Sequence, residues 1–174
     1  MKRAWILFAL AATLLAAPAF KRAGLIAMER SFDQRLKQLA PDDPYILIGP
    51  TRGVYLDGYG AVLTSEVNLA NGPRPSPFQP IVGKEGITKI RQLKLERLPV
   101  LRQSMRETLM AAASSLDEVP AKEQIVVVVS LVYFSEEDST GMPGQILMQG
   151  ERGKLIDAKL GRISLDSVVK AKEF

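Results

Sequence analysis

Between Arg52 and Leu69 the chain reads RGVYLDGYGAVLTSEVNL, two runs of alternating apolar and polar residues that meet at Asp57-Gly58. Alternation of period two marks a strand with one face on a core, and Asp-Gly is a preferred pair for a two-residue type I′ turn. The pattern therefore predicts an antiparallel hairpin. If Leu56 faces Tyr59 across that turn, Val54 faces Ala61 and Arg52 faces Leu63. Val54 and Leu56 then share an apolar face with Tyr59, Ala61, Leu63, Val67 and Leu69. Tyr55, Val62, Thr64, Glu66 and Asn68 form the wetter face.

Three- and four-residue spacing takes over on both sides of the hairpin. Leu25, Met28, Phe32, Leu36 and Leu39 line one face of a short amphipathic helix over 25–40, which Pro41 and Pro44 end. A helix in this position serves equally well as a stalk leading to the domain. After Pro99, the residues Leu101, Met105, Thr108, Leu109, Ala112 and Leu116 fall on one stripe of a longer helix, with Pro99 suited to its first turn. The preceding segment TKIRQLKLERL has apolar residues scattered around the turn and reads as a separate helix. Ile125–Phe134 is an uncharged, β-branched run, apolar on both faces apart from Ser130, as expected of a central strand covered on both sides. Gln145–Gln149 reads as its return strand after an acidic turn, Gly150–Leu160 as a short helix and Leu165–Phe174 as a last strand.

This order describes an α+β fold: a mainly antiparallel sheet of two β-hairpins plus a C-terminal strand, packed by one long helix, with a short N-terminal helix. Residues 20–44 supply the N-terminal helix and a linker, and 45–174 a single α+β domain. Residues 71–83 contain four prolines and cannot form a regular element. Their stiff character and Phe78 suit either a docking segment or a plain surface connection.

The amino end changes the picture from fold to location. Lys2 and Arg3 precede the uncharged Ala4–Ala17, and Ala17-Pro18-Ala19 has the small-residue spacing of a signal-peptidase site. Residues 1–19 are thus expected to be a signal peptide cleaved after Ala19, directing the chain to the periplasm or outside the cell. The alternative is an uncleaved anchor: residues 4–20 form an uncharged stretch of 17 residues, the lower limit for a helix across a bilayer core of about 30 Å. Such an anchor would hold the domain to the membrane by a single N-terminal helix, facing away from the cytoplasm. Lys2 and Arg3 on one side are matched by Lys21 and Arg22 on the other, so charge does not choose between the two. Cleavage would remove two cations and no acid, taking the formal charge from +4 to +2.

The chain has no cysteine and no histidine. Cysteine nucleophiles, Ser-His-Asp triads, disulfides, iron-sulfur clusters, His- or Cys-ligated haem and ordinary zinc sites are therefore excluded. No cofactor is expected. Glu136-Glu137-Asp138 is the one dense carboxylate cluster, but it lacks the alternating spacing that converges ligands on calcium, so a solvated loop is the plainer reading. Ser167 and Lys170 have Ser-x-x-Lys spacing, yet in a strand they would lie on opposite faces. Gly58-Tyr59-Gly60 and Gly153-Lys154 each lack the rest of a phosphate-binding motif. Asp57 and Glu66 could in principle act as paired carboxylates in a histidine-free hydrolase.

One charge imbalance stands out. Lys84 to Arg106 holds seven basic residues against two acids. In an exported protein, Arg91, Lys94, Arg97, Arg102 and Arg106 would address an anionic envelope surface or an envelope protein rather than nucleic acid. Tyr55 and Phe78 would extend that binding surface. A solvated helix face is the competing reading. The sequence thus points to an exported cell-envelope binding or assembly protein without cofactor. It would act through the basic helical segment, the hairpin face or the Pro-rich loop, with the Asp/Glu hydrolase as the alternative.

Overall fold

The computed structural model describes residues 20–40, 42, 45–72 and 83–174. Residues 1–19, on which the expected signal peptide or anchor falls, Pro41 and Pro44, expected to end the first helix, and the Pro-rich residues 73–82, with Phe78, lie outside the described residues. In chain order the elements are α1 (Arg22–Gln38), β1 (Ile46–Leu47), β2 (Arg52–Leu56), β3 (Gly60–Asn68), α2 (Lys84–Ser115), β4 (Gln124–Leu131), β5 (Gln145–Glu151), α3 (Arg152–Lys159), α4 (Leu165–Val168) and β6 (Lys170–Glu173).

The fold is α+β, with a mixed rather than mainly antiparallel sheet. β3 and β4 run parallel through eight paired positions, from Gly60 opposite Gln124 to Val67 opposite Leu131. The reason is the connection: a helix that crosses back over the sheet returns the chain to the same end and starts a parallel strand, whereas a tight turn reverses it. β4, β5 and β6 continue antiparallel, and β1 and β2 both pair with β3 on its other side. β6 occupies only the end of the predicted last strand, because Leu165–Val168 makes one helical turn first.

The β2–β3 hairpin is shifted by one residue from the expected register. Leu56 pairs with Gly60 instead of Tyr59, which makes the loop three residues long. Tyr59 donates its amide to the Leu56 carbonyl at 3.0 Å. Gly58 has φ +74 while, among the described residues, no non-glycine has positive φ, so the turn has the sign pattern of type II and not of type I′. Gly60 fixes the choice: it has φ +133, and a Cβ there would stand 1.9 Å from the Gln124 carbonyl oxygen. A one-residue slip exchanges the faces. Gly53 and Tyr55 therefore join Ala61, Leu63 and Val67 on the core side, and Val54 and Leu56 turn outward, each 47% exposed. Tyr55 is consequently half-buried against the core, not on the exposed face.

α2 is one continuous helix of 32 residues rather than two. Pro99 lies well inside it, at an exposed position, so the Leu95 carbonyl that loses its amide partner is open to water. The buried stripe runs unbroken through Ile90, Lys94, Leu98, Leu101, Met105, Thr108, Leu109 and Ala112. A lysine occupies one of its apolar positions, and that gap hides the stripe in the sequence.

Leu25, Met28, Phe32 and Leu36 of α1 are buried in the same cluster as Leu101, Met105 and Leu109 of α2 and Ile125, Val127 and Val129 of β4. The N-terminal helix is thus part of the core, and it also closes a sheet edge. The Glu29 carboxylate accepts the Gly53 amide at 2.7 Å, and Asp33 accepts the Thr51 amide at 3.0 Å and its hydroxyl at 2.6 Å. Four residues of helix advance about 6.0 Å and two of strand about 6.6 Å, so two acids a turn apart match the Gly53 amide of β2 and the Thr51 amide just before it. The carboxylates take the place of a missing neighbouring strand.

Candidate functional site

The basic row on α2 reaches across to the rest of the fold. Arg91 donates to the Asp138 and Thr140 carbonyls at 3.0 and 2.8 Å and lies 3.4 Å from the Asp138 carboxylate. The Thr140 hydroxyl and amide, with Arg91, hold Asp138 below the usual carboxylate pKa. Lys94 is 1% exposed and is ion-paired with Glu137, whose side chain is 11% exposed. Its ammonium lies 4.9 Å from the centre of the Tyr133 ring. Burial lowers the Lys94 pKa, against the opposing pull of Glu137. Burial, with the Glu137 charge beside it, pushes Tyr133 up to about 12. Arg97 donates to the Leu69 carbonyl at 2.5 Å and sits 5.4 Å over the Tyr45 ring. Arg102 makes a two-pronged pair with Glu173 of β6 at 2.7 and 2.9 Å, and Arg106 pairs with Asp166 of α4.

Arg91 and Lys94 thus meet the acidic loop before β5, while Arg102 and Arg106 meet the C-terminal segment. The basic segment and the Glu136–Asp138 cluster, separate features of the sequence, neutralise one another across the fold. Such a row holds the hairpin loop and β6 against α2. Tyr55 lies apart from it: its ring stacks on Phe20 at 4.3 Å, and burial, with the Glu123 carboxylate beside it, raises its pKa.

The carboxylates named in the sequence do not converge. Asp57 lies in the hairpin turn and Glu66 on the outward face of β3. Ser167 belongs to α4 and donates to the Ser164 carbonyl, and Lys170 lies in β6. Among the described residues no group of three or more acids is placed to hold a metal ion.

A different surface is built by the sheet. The helices α1 and α2 pack on the face formed by Ala61, Leu63, Val67, Ile125, Val127, Val129, Ile146 and Met148. No described element covers the opposite face. There, rows across the strands read Val54, Val62, Val126, Gln149, Lys170 and Arg52, Thr64, Val128, Leu147, Lys172. The middle of each row is aliphatic, with Val126 buried and Val128 and Leu147 half-buried; an exposed Lys170 ends the first row, and exposed Arg52 and Lys172 stand at the two ends of the second. A shallow depression of about 330 Å³ lies over the second row, lined by Arg52, Thr64, Glu66, Val128, Ser130 and Gln145. The Gln145 side chain donates to the Ser130 hydroxyl at 3.2 Å.

The sequence carried one signal for this surface. A strand apolar on both faces calls for cover on both, and β4 is such a strand. The described fold buries the odd-numbered side throughout and Val126 on the even-numbered side, and leaves Val128 and Ser130 half-buried. No family model, curated protein or solved structure matches the chain.

Proposed function

We propose that this chain is an exported, cofactor-free binding or assembly component of the cell envelope, and that its contact surface is the uncovered face of the sheet. The observation that carries the reading is the second apolar face of β4. Val128 and Leu147 are half-buried and Val54 is 47% exposed on a side that no described element covers, around Val126, which their packing buries. Contiguous apolar surface rimmed by polar groups favours association. The matching partner is an envelope protein with an apolar patch bordered by carboxylates, because Arg52, Lys170 and Lys172 flank the aliphatic centre. The basic row of α2 is a weaker candidate for that contact, since Arg91, Lys94, Arg102 and Arg106 already face acids of this chain. No observation favours the hydrolase reading.

Export rests on residues 1–19 as read from the sequence. Among the described residues no helix is long and apolar enough to cross a membrane.

Placing a photo-crosslinking amino acid at Val54, Thr64 or Val128, and as a control at Gln92 on the exposed side of α2, tests the surface in intact cells. Adducts of discrete mass from the first three positions and none from Gln92 are expected. Adducts from Gln92 alone would transfer the contact to α2 and refute the sheet-face reading.

A further inference from the structure

We propose that the tip of the β2–β3 hairpin and the start of α1 form the edge of the domain that rests on a lipid bilayer. This rests on the exported reading in its anchored form, with residues 4–20 retained as the inserted segment.

The first observation is where the uncharged stretch meets the fold. Phe20, its last residue, stacks on Tyr55 with ring centres 4.3 Å apart and planes 10° from parallel. The next amide, Lys21, donates to Glu118 at 2.6 Å. The chain is therefore pinned to the domain at the residue where the apolar stretch stops, with no spacer between them. Tyr55 is one residue from Leu56, which begins the hairpin turn. Wherever residues 4–20 enter a bilayer, the hairpin tip must lie within a few residues' length of the same surface.

The second observation is the character of that tip. Leu56 is 47% and Tyr59 44% exposed, adjoining a stacked Phe20–Tyr55 pair. Aromatic and aliphatic side chains next to an inserted segment are what the interface between hydrocarbon and headgroups favours, and Lys21 and Arg22 directly after it suit the headgroup level.

The charges around the edge are mixed: Lys21, Arg22 and Lys122 against Asp57, Asp117, Glu118 and Glu123. Several of these are engaged within the chain, Lys21 with Glu118 and Arg22 with Glu29. The contact is accordingly apolar rather than a lysine-to-phosphate one. It requires no anionic lipid and should be insensitive to salt.

The absence of cysteine allows a single engineered thiol to be labelled. The full-length chain, carrying Asp57→Cys or Ser139→Cys with an environment-sensitive fluorophore, is reconstituted into phosphatidylcholine vesicles and floated on a density gradient. Position 139 lies beyond the other end of β4, eight residues away along the strand and so about 25 Å distant. The label at 57 should shift to the blue, be quenched by spin-labelled lipid and resist aqueous iodide, with or without high salt. The label at 139 should remain open to iodide. Adding Tyr59→Glu to the 57-labelled chain should restore iodide quenching while the chain still floats. If the chain floats but both labels are equally open to iodide, the edge is wrong while the anchor stands. If the label at 57 is released by salt, the apolar contact is wrong. If the chain does not float, the anchored reading fails and the edge with it.

Discussion

Replacing Lys94 with methionine keeps an unbranched side chain, one atom shorter, and removes the ammonium, in a position that the rest of the α2 stripe makes apolar. The ammonium is almost fully buried, and its partner Glu137 keeps 11% of its side chain exposed. One Glu137 carboxylate oxygen, Oε1, is already buried without a hydrogen-bond partner. Lys94→Met would leave that carboxylate wholly unpaired, and breaking one side of a buried pair costs about 3–5 kcal/mol. For a domain of this size each kcal/mol lowers Tm by about 2–4 °C, so the variant should melt about 6–20 °C below the parent. Lys94→Met combined with Glu137→Leu replaces both charges by apolar groups. Such replacements are neutral or stabilising by up to about 4 kcal/mol, so most or all of the loss should return. Urea unfolding of the four proteins of this cycle gives the coupling directly. A Lys94→Met variant within about 0.5 kcal/mol of the parent would refute the reasoning, because it would mean that the lysine is solvated and the stripe does not pass through it.

The pair beside Tyr133 also predicts an alkaline limit. Tyr133 is raised from 10.0 to about 12 in the folded chain, so its contribution is complete below pH 10 and is lost as pH climbs towards 12. Tyr133→Phe should flatten that part of the stability curve, while costing the hydroxyl's 2.9 Å bond to the Pro143 carbonyl, about 0.5–1.5 kcal/mol. Glu29→Ala strands the buried Gly53 amide at about 1–3 kcal/mol and reopens the outer edge of β2, so light scattering should register self-association absent from the parent. Gly60→Ala should cost more than about 3 kcal/mol by thermal melting, since the new methyl group meets the Gln124 carbonyl. Pro99→Ala, at an exposed site inside α2, should stabilise by up to about 3 kcal/mol, read from the denaturant midpoint.

Much of the fold was legible because each element repeats its period several times. The α1 stripe, the alternating hairpin strands, the uncharged β4 run and its return strand all emerge near their expected positions. The parts that were not legible have local causes. Asp57-Gly58 is compatible with two loop lengths, and the deciding contact, Gly60 against Gln124, joins strands that are far apart in sequence. Hydrophobicity also pointed the wrong way in β2. Val54 and Leu56 are more apolar than Gly53 and Tyr55, yet they are the outward pair. That inversion is understandable if the outward face is built to be covered by another molecule. In α2 a lysine interrupted the stripe and a proline suggested a start, so one helix read as two. The basic row itself was plain in the sequence. Its partners were not, since Asp138, Glu137, Asp166 and Glu173 lie 43 to 71 positions away.

On the proposed reading, Arg91, Lys94, Arg102 and Arg106 of α2 are held by acids of this chain while the uncovered sheet face meets a partner. Amine-reactive footprinting read by mass spectrometry tests both halves at once, on the purified protein and on the protein in native envelope preparations. Lys94 should be unreactive in both, and Lys170 and Lys172, on the border of the uncovered face, should react freely when purified and become protected in the envelope. Reactive Lys94, or equal labelling of Lys170 and Lys172 in the two states, would contradict the account.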